Sequence, residues 1–161
     1  PKTKVISPNG PFLVPLKKDA GWEPRYSWYF YDSAQKNFYI NYAPAALWLS
    51  DLIRLKNPDK KPVTILGYSQ GGYLAPKAGE LIKECVKVIG INSIFRADRF
   101  EINSEIEYLQ LNGTEDKIVS FHEAQKEFQI LKDKGAMGAF ETIEEGHLLN
   151  QSLIKKASRF L

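Results

Sequence analysis

The stretch VTILGYSQGG, residues 63–72, decides how this chain is read. Val63 to Gly67 is a short apolar run with the length of a buried strand, and from Gln70 onward the pattern turns helical. Ser69 sits in the turn between them, with Gly67 and Gly71 two positions away on either side. A sharp strand-to-helix turn holds such a serine in a strained conformation and pushes its hydroxyl out over the strand end. Side chains two positions away would clash with that turn, which favours glycine. The helix that starts after Ser69 aims free backbone N–H groups at the same place, where they can stabilise an oxyanion. The competing reading is a plain turn with a serine cap.

A serine hydroxyl needs a base to become a nucleophile. The chain holds two histidines, His122 and His147. His122 opens a surface-like helix and reads as a solvated residue. His147 follows the glycine of EEGHLLN, in a loop between a weak strand and the last helix, where this kind of architecture places its chemistry. The base in turn needs an orienting carboxylate. Asp116, in NGTEDKIV, lies just beyond another strand, and neighbouring Glu115 is its rival for that role. Glu144 and Glu145 read as surface charge. The order Ser69, Asp116, His147 matches the Ser–acid–His chain order of one hydrolase architecture, and each member follows a proposed strand.

Working outward, strands are expected at Lys4–Pro8, Val63–Gly67, Val86–Asn92, Ile106–Gly113 and, weakly, AFETIE. Residues Phe12 to Asn37 read as irregular and rich in aromatics. Helices are expected from about Ala43 through AALWLSDLIRLKN, with Pro44 tolerated in the first turn, and from Gln70 to about Cys85. A third is opened by a Ser120–Glu123 capping box and closed by Gly135. A fourth spans HLLNQSLIKKASRFL. Strands alternating with helices imply parallel strands covered on both faces.

At this point the chain resembles the α/β-hydrolase superfamily, and within it the small carboxylesterase, phospholipase and acyl-thioesterase-like serine hydrolases. GYSQGG is similar to the nucleophile elbow, LNGTEDKIVSFHEAQKEFQILKDKG to the strand, acid loop and following helix, and EEGHLLN to the terminal Gly-His loop. VISPNGP and RYSWYFYD resemble the segment upstream of the elbow. The resemblance implies an α/β fold, a three-layer sandwich with a mainly parallel sheet, as a single domain over residues 1–161. It also favours Asp116 over Glu115 as the acid. It implies a catalytic set of Ser69, Asp116 and His147, with the Gln70 N–H in the oxyanion hole. Such hydrolases carry earlier strands, one ending in a loop that supplies a second oxyanion donor. Here only KVISPNGP precedes the aromatic segment, so the expected fold is reduced or N-terminally incomplete. The second donor is either missing or supplied from elsewhere, for example the Asn9–Gly10 turn.

Composition bounds the function. The chain has 161 residues, 43% hydrophobic and 25% charged, with a formal net charge of +3. That suits one soluble domain. Its lysines are scattered, with no basic-aromatic strip to grip nucleic acid. No apolar run is long enough for a membrane span. The single Cys85 excludes an internal disulfide and reads as a small buried residue near a helix end. The absence of a Cys/His cluster argues against zinc. The expectation is therefore a cytoplasmic, cofactor-independent serine hydrolase acting on a small-molecule ester, of unspecified oligomeric state. Thioesterase, amide or peptide hydrolase, and a non-catalytic binding relative are the alternatives. Tyr68, Trp22 and Trp28 are candidates for the substrate pocket, with core packing as the competing role.

Overall fold

The computed structural model describes residues 3–161. Its centre is a four-stranded parallel sheet of β5 (Val63–Tyr68), β6 (Cys85–Ile91), β7 (Glu107–Gly113) and β8 (Met137–Ile143), adjacent in that order. Between successive strands run α2 (Gln70–Leu81), a long loop, and α3 (Phe121–Asp133), while α1 (Ala43–Lys56) precedes β5 and α4 (Gln151–Ala157) follows β8. The sheet is parallel because each connection, the helices α2 and α3 and the long loop after β6 alike, carries the chain back to start the next strand in the same direction.

The two sheet faces are covered differently. On one, Val88 and Tyr108 pack with Ala75 and Ile82 from the α2 side and Phe128 and Leu131 from α3. Helix α1 joins this layer, where Ala45 and Ala46 meet Leu74, Ala78 and the β5 residue Ile65. On the other face, Ile89, Ile91, Leu109 and Leu111 pack against Leu153 and Ala157 of α4. This second layer is short and does not hide β5, whose Leu66 is 46% exposed. The three layers match the sequence expectation, with coverage fading toward the β5 edge.

Several local expectations are corrected. Lys4–Pro8 forms no strand. Pro8 has no N–H to give a ladder, and Lys4 and Val5 face solvent, so nothing there drives pairing. Residues Phe12 to Asn37, expected to be irregular, contain β1 (Phe12–Lys18) paired antiparallel with β2 (Gly21–Ser27), and β3 (Phe30–Asp32) paired with β4 (Asn37–Ile40). Pro15 and Pro24 sit directly opposite each other in the first ribbon, an arrangement tolerated where both strands are edges. Gly21, at φ 126°, supplies the backbone its tight turn needs.

Cys85 belongs to β6 rather than to the end of a helix, although it is buried as expected. The chain leaves α2 at Ile82, whose ψ of 103° is already extended. The last helix begins at Gln151, not His147, because the Asn150 side chain caps it by accepting from the Leu153 N–H at 2.9 Å. Helix α3 behaves as read: the Ser120 hydroxyl accepts from the Glu123 N–H, and Gly135 is left-handed at φ 94°. No helix among the described residues is long and apolar enough to cross a membrane.

Candidate active site

Ser69, Asp116 and His147 converge at the C-terminal ends of the parallel strands, the crevice where open α/β sheets bind ligands. Ser69 occupies the single residue between β5 and α2 with φ 49° and ψ −118°. This is the left-handed side of backbone space, which a non-glycine residue adopts only when its surroundings hold it there. They do: its N–H donates to the Ile91 carbonyl at 2.8 Å, and its own carbonyl accepts from the N–H groups of Gly72 at 2.8 Å and Tyr73 at 3.1 Å.

The flanking glycines divide the steric work unevenly. A Cβ on Gly67 would collide with the Gly71 carbonyl, and one on Gly72 would collide with the Ser93 side chain. A Cβ on Gly71 would meet only Trp28 Nε1, at 3.6 Å, which is ordinary contact. The elbow therefore depends on Gly67 and Gly72, and the expectation that residue 71 must be glycine for space is corrected.

Asp116 is held by its own loop. After β7 ends at Gly113, the Thr114 and Glu115 N–H groups donate to the Ile143 and Glu145 carbonyls at 2.9 and 3.1 Å, tying this loop to the segment after β8. The Asp116 side chain is fully buried. Its Oδ1 accepts from the N–H groups of Ile118 at 2.8 Å and Val119 at 2.9 Å, which leaves Oδ2 to meet His147 Nδ1 at 2.6 Å. His147 Nε2 lies 2.9 Å from Ser69 Oγ. A carboxylate can only accept, so Nδ1 carries the proton, and the unprotonated Nε2 of a neutral imidazole accepts from the serine hydroxyl. The Ser69 hydroxyl thus donates to the imidazole. Glu115 is not in this chain of bonds. Glu145 accepts from the Asn150 amide at 2.7 Å instead.

Tyr68 braces the histidine from the strand side. Its hydroxyl donates to the His147 carbonyl at 3.1 Å, and its ring lies 5.3 Å from the imidazole centroid, inclined by 38°. Burial, and then the negative charge of Asp116, raise its phenol pKa, so it stays a neutral donor. His122 stacks on Phe121 at 3.9 Å in the exposed first turn of α3.

Gln70 contributes more than sequence reasoning assigned to it. No backbone carbonyl among the described residues accepts its N–H, as befits the first turn of a helix. Its side-chain Oε1 accepts from the Trp28 N–H at 2.8 Å, and Nε2 donates to the Tyr29 carbonyl at 3.1 Å. The helix start is thereby bolted to the aromatic segment, a role no local pattern signals because its partners lie some forty residues upstream. Trp28 and Tyr68 line one end of an apolar trough of about 250 Å³ that runs along the free edge of β5 from Val63 to Tyr68, with Pro8, Leu49 and Leu74 also in its walls. Trp22 stands at the far end of the first ribbon, opposite Lys17, 69% exposed and outside the trough lining. No group of three His, Cys, Asp or Glu among the described residues could hold a metal ion.

Solved structures of Arabidopsis thaliana SOBER1 (21% identity, TM-score 0.69, 94% of this chain and 79% of that one) and Zea mays acyl-protein thioesterase 2 (15%, 0.69, 88% and 73%) are similar throughout. So is the Bacillus cereus carboxylesterase (16%, 0.65, 94% and 71%). The fold is that of the α/β hydrolases. No protein-family model and no curated protein sequence matches the chain.

Proposed function

We propose that this α/β-hydrolase-fold chain is a serine hydrolase that cleaves carboxylic esters through an acyl-enzyme. The observation that carries the reading is the partly buried line Asp116–His147–Ser69, joined at 2.6 and 2.9 Å, with its serine on a strained elbow. A plain capped turn needs neither the strain nor the two partners.

In the proposed reaction, Ser69 Oγ attacks the ester carbonyl while its proton passes to His147 Nε2. Asp116 fixes the imidazole tautomer and offsets the charge it gains. The carbonyl oxygen, now an anion, accepts a hydrogen bond from the Gln70 N–H, which has no other backbone partner. Collapse of the tetrahedral species breaks the ester C–O bond, and His147 gives its proton to the departing alkoxide. Water then attacks the acyl-enzyme with His147 again as base, releasing the acid and restoring Ser69. The trough walled by Trp28 and Tyr68 is assigned to the apolar part of the substrate. Thioester cleavage is the second reading. The same steps serve a thiolate leaving group, and the likeness to a plant acyl-protein thioesterase favours it over amide cleavage.

A fluorophosphonate probe is expected to label the wild type and not Ser69→Ala. The same substitution should lower kcat on p-nitrophenyl esters by about 10⁴- to 10⁶-fold. Undiminished labelling of Ser69→Ala would remove Ser69 as nucleophile. Parallel assays on acyl-CoA and on esters of matched chain length decide between the two leaving-group classes.

A further inference from the structure

Among the described residues five polar residues are buried, and four of them, Asn92, Ser93, Gln110 and Asn112, gather toward the C-terminal ends of β6 and β7, below the site. Buried amides are costly unless their hydrogen bonds are made, so such a concentration calls for a purpose.

Asn92 is the centre of this group. It is fully buried and left-handed, at φ 46°. Its N–H donates to the Leu111 carbonyl at 2.9 Å, and the next carbonyl, Ser93 O, accepts from both Gln110 Nε2 at 2.7 Å and Asn112 Nδ2 at 3.0 Å. The turn is thus pinned on both sides, which fixes the Asn92 side chain between two loops. Oδ1 accepts from the Gly113 N–H at 2.9 Å, at the root of the loop that carries Asp116. Nδ2 donates to the Gly146 carbonyl at 3.1 Å, one residue before His147. On the third side, the preceding residue Ile91 accepts the Ser69 N–H. One two-residue step of backbone therefore touches the roots of all three proposed catalytic loops.

We propose that Asn92 is a positioning residue that sets the Asp116–His147 distance by clamping the Gly113 and Gly146 peptides to the end of β6. Only asparagine meets all the demands at this spot. It tolerates the left-handed backbone, and it presents one acceptor and one donor at the reach of both loops. Aspartate would turn a carboxylate oxygen on the Gly146 carbonyl. Glycine would keep the backbone and lose both bonds. The inference rests on the triad reading above.

The test uses Asn92→Gly in the full chain. It should lower kcat about 10- to 100-fold, as a small misplacement of reacting groups does, with KM changed less than about twofold. The downfield proton resonance of the His147 Nδ1–H should weaken or broaden. Ile89→Ala is the control, a buried apolar truncation on β6 that should lower the melting temperature while leaving the resonance in place. An Asn92→Gly protein that melts early but keeps the wild-type resonance and kcat overturns the proposal. The resonance separates this from failure of the triad reading. If Ser69→Ala still labels and hydrolyses while Asn92→Gly alters the resonance, the clamp stands and the nucleophile assignment falls. If Ser69→Ala is dead and Asn92→Gly alters nothing, only the clamp falls.

Discussion

Residues 63–161 and residues 12–40 are built on opposite principles. The first region is a parallel sheet whose β6 and β7 strands are buried on both faces, and its side chains interlock with helices before and behind. The second is two antiparallel ribbons, on which Leu13, Trp22, Tyr26, Tyr31 and Tyr39 all face solvent. The two meet at a narrow seam, where the Gln70 amide grips Trp28 and Tyr29 and Trp28 leans on Gly71. The proposed chemistry is thus anchored in the doubly covered sheet, while the ribbons reach it through the Trp28 wall of the trough.

The sharpest way to break this contrast is at the elbow. Gly67→Ala forces a Cβ into the backbone of Gly71, so neither the turn nor the helix start can survive unchanged. A loss of about 4 kcal/mol in stability is expected, of the size reserved for special backbone sites, together with loss of esterase activity. Gly71→Ala, whose Cβ would meet only Trp28 Nε1 at the ordinary contact distance of 3.6 Å, should fold normally and stay within about 1 kcal/mol of wild type. Denaturant titration of the pair checks both. Equal damage from the two would mean that the seam, not the elbow, controls this end of the sheet.

This asymmetry also marks how far the sequence could be read. The parallel region was legible because strands buried on both faces become continuous apolar runs, as in VKVIGIN and IEYLQLNG, and VTILG carries the same pattern although one face of β5 is open. The proposed triad was legible because each member follows an expected strand in the Ser–acid–His chain order. The ribbons escaped notice for the complementary reason. Strands with little to bury need no alternation, and prolines at 15 and 24 look like breakers until they are found facing each other on edge strands. The choice of Asp116 over Glu115 came from family likeness. Its physical basis, the two N–H groups from Ile118 and Val119 that orient the shorter side chain, exists only once the loop is folded. Asn92 gave no signal at all, because its partners are peptides of two distant loops, and peptides carry no sequence mark.

A second test compares like with like across the two regions. Leu111→Ala empties a fully buried position on β7, on the face covered by α4, and should cost about 3 kcal/mol through lost burial plus the cavity left behind. Leu13→Ala removes a side chain that is 60% exposed on the first ribbon, and should change stability by less than about 0.5 kcal/mol. Chemical denaturation gives both numbers. A large effect at Leu13 would mean that the ribbon face is covered in solution.

The smallest expected effect concerns the seam itself, and it is read by pH. Burial is the main cause that raises the phenols of Tyr29, Tyr42 and Tyr73, the last two to about 12 from an ordinary 10.0, and lifts the Cys85 thiol to about 11 from 9.0. In each case the folded value exceeds the unfolded one. The neutral group therefore contributes fully below the unfolded pKa, and its contribution is lost as pH rises toward the folded value. Stability should decline from about pH 9 for Cys85 and from about pH 10 for the tyrosines. The tyrosines are not spread evenly. The rings of Tyr29 and Tyr42 pack edge to face at 5.9 Å, and both meet Phe38 of β4, on the ribbon side of the seam. Hydrogen exchange above pH 10 should thus show residues 27–42 losing protection before β6 and β7, relative to the intrinsic exchange rate at each pH. Simultaneous loss in both regions would mean that ribbons and sheet unfold as one cooperative unit, and that the seam transmits stability as well as shape.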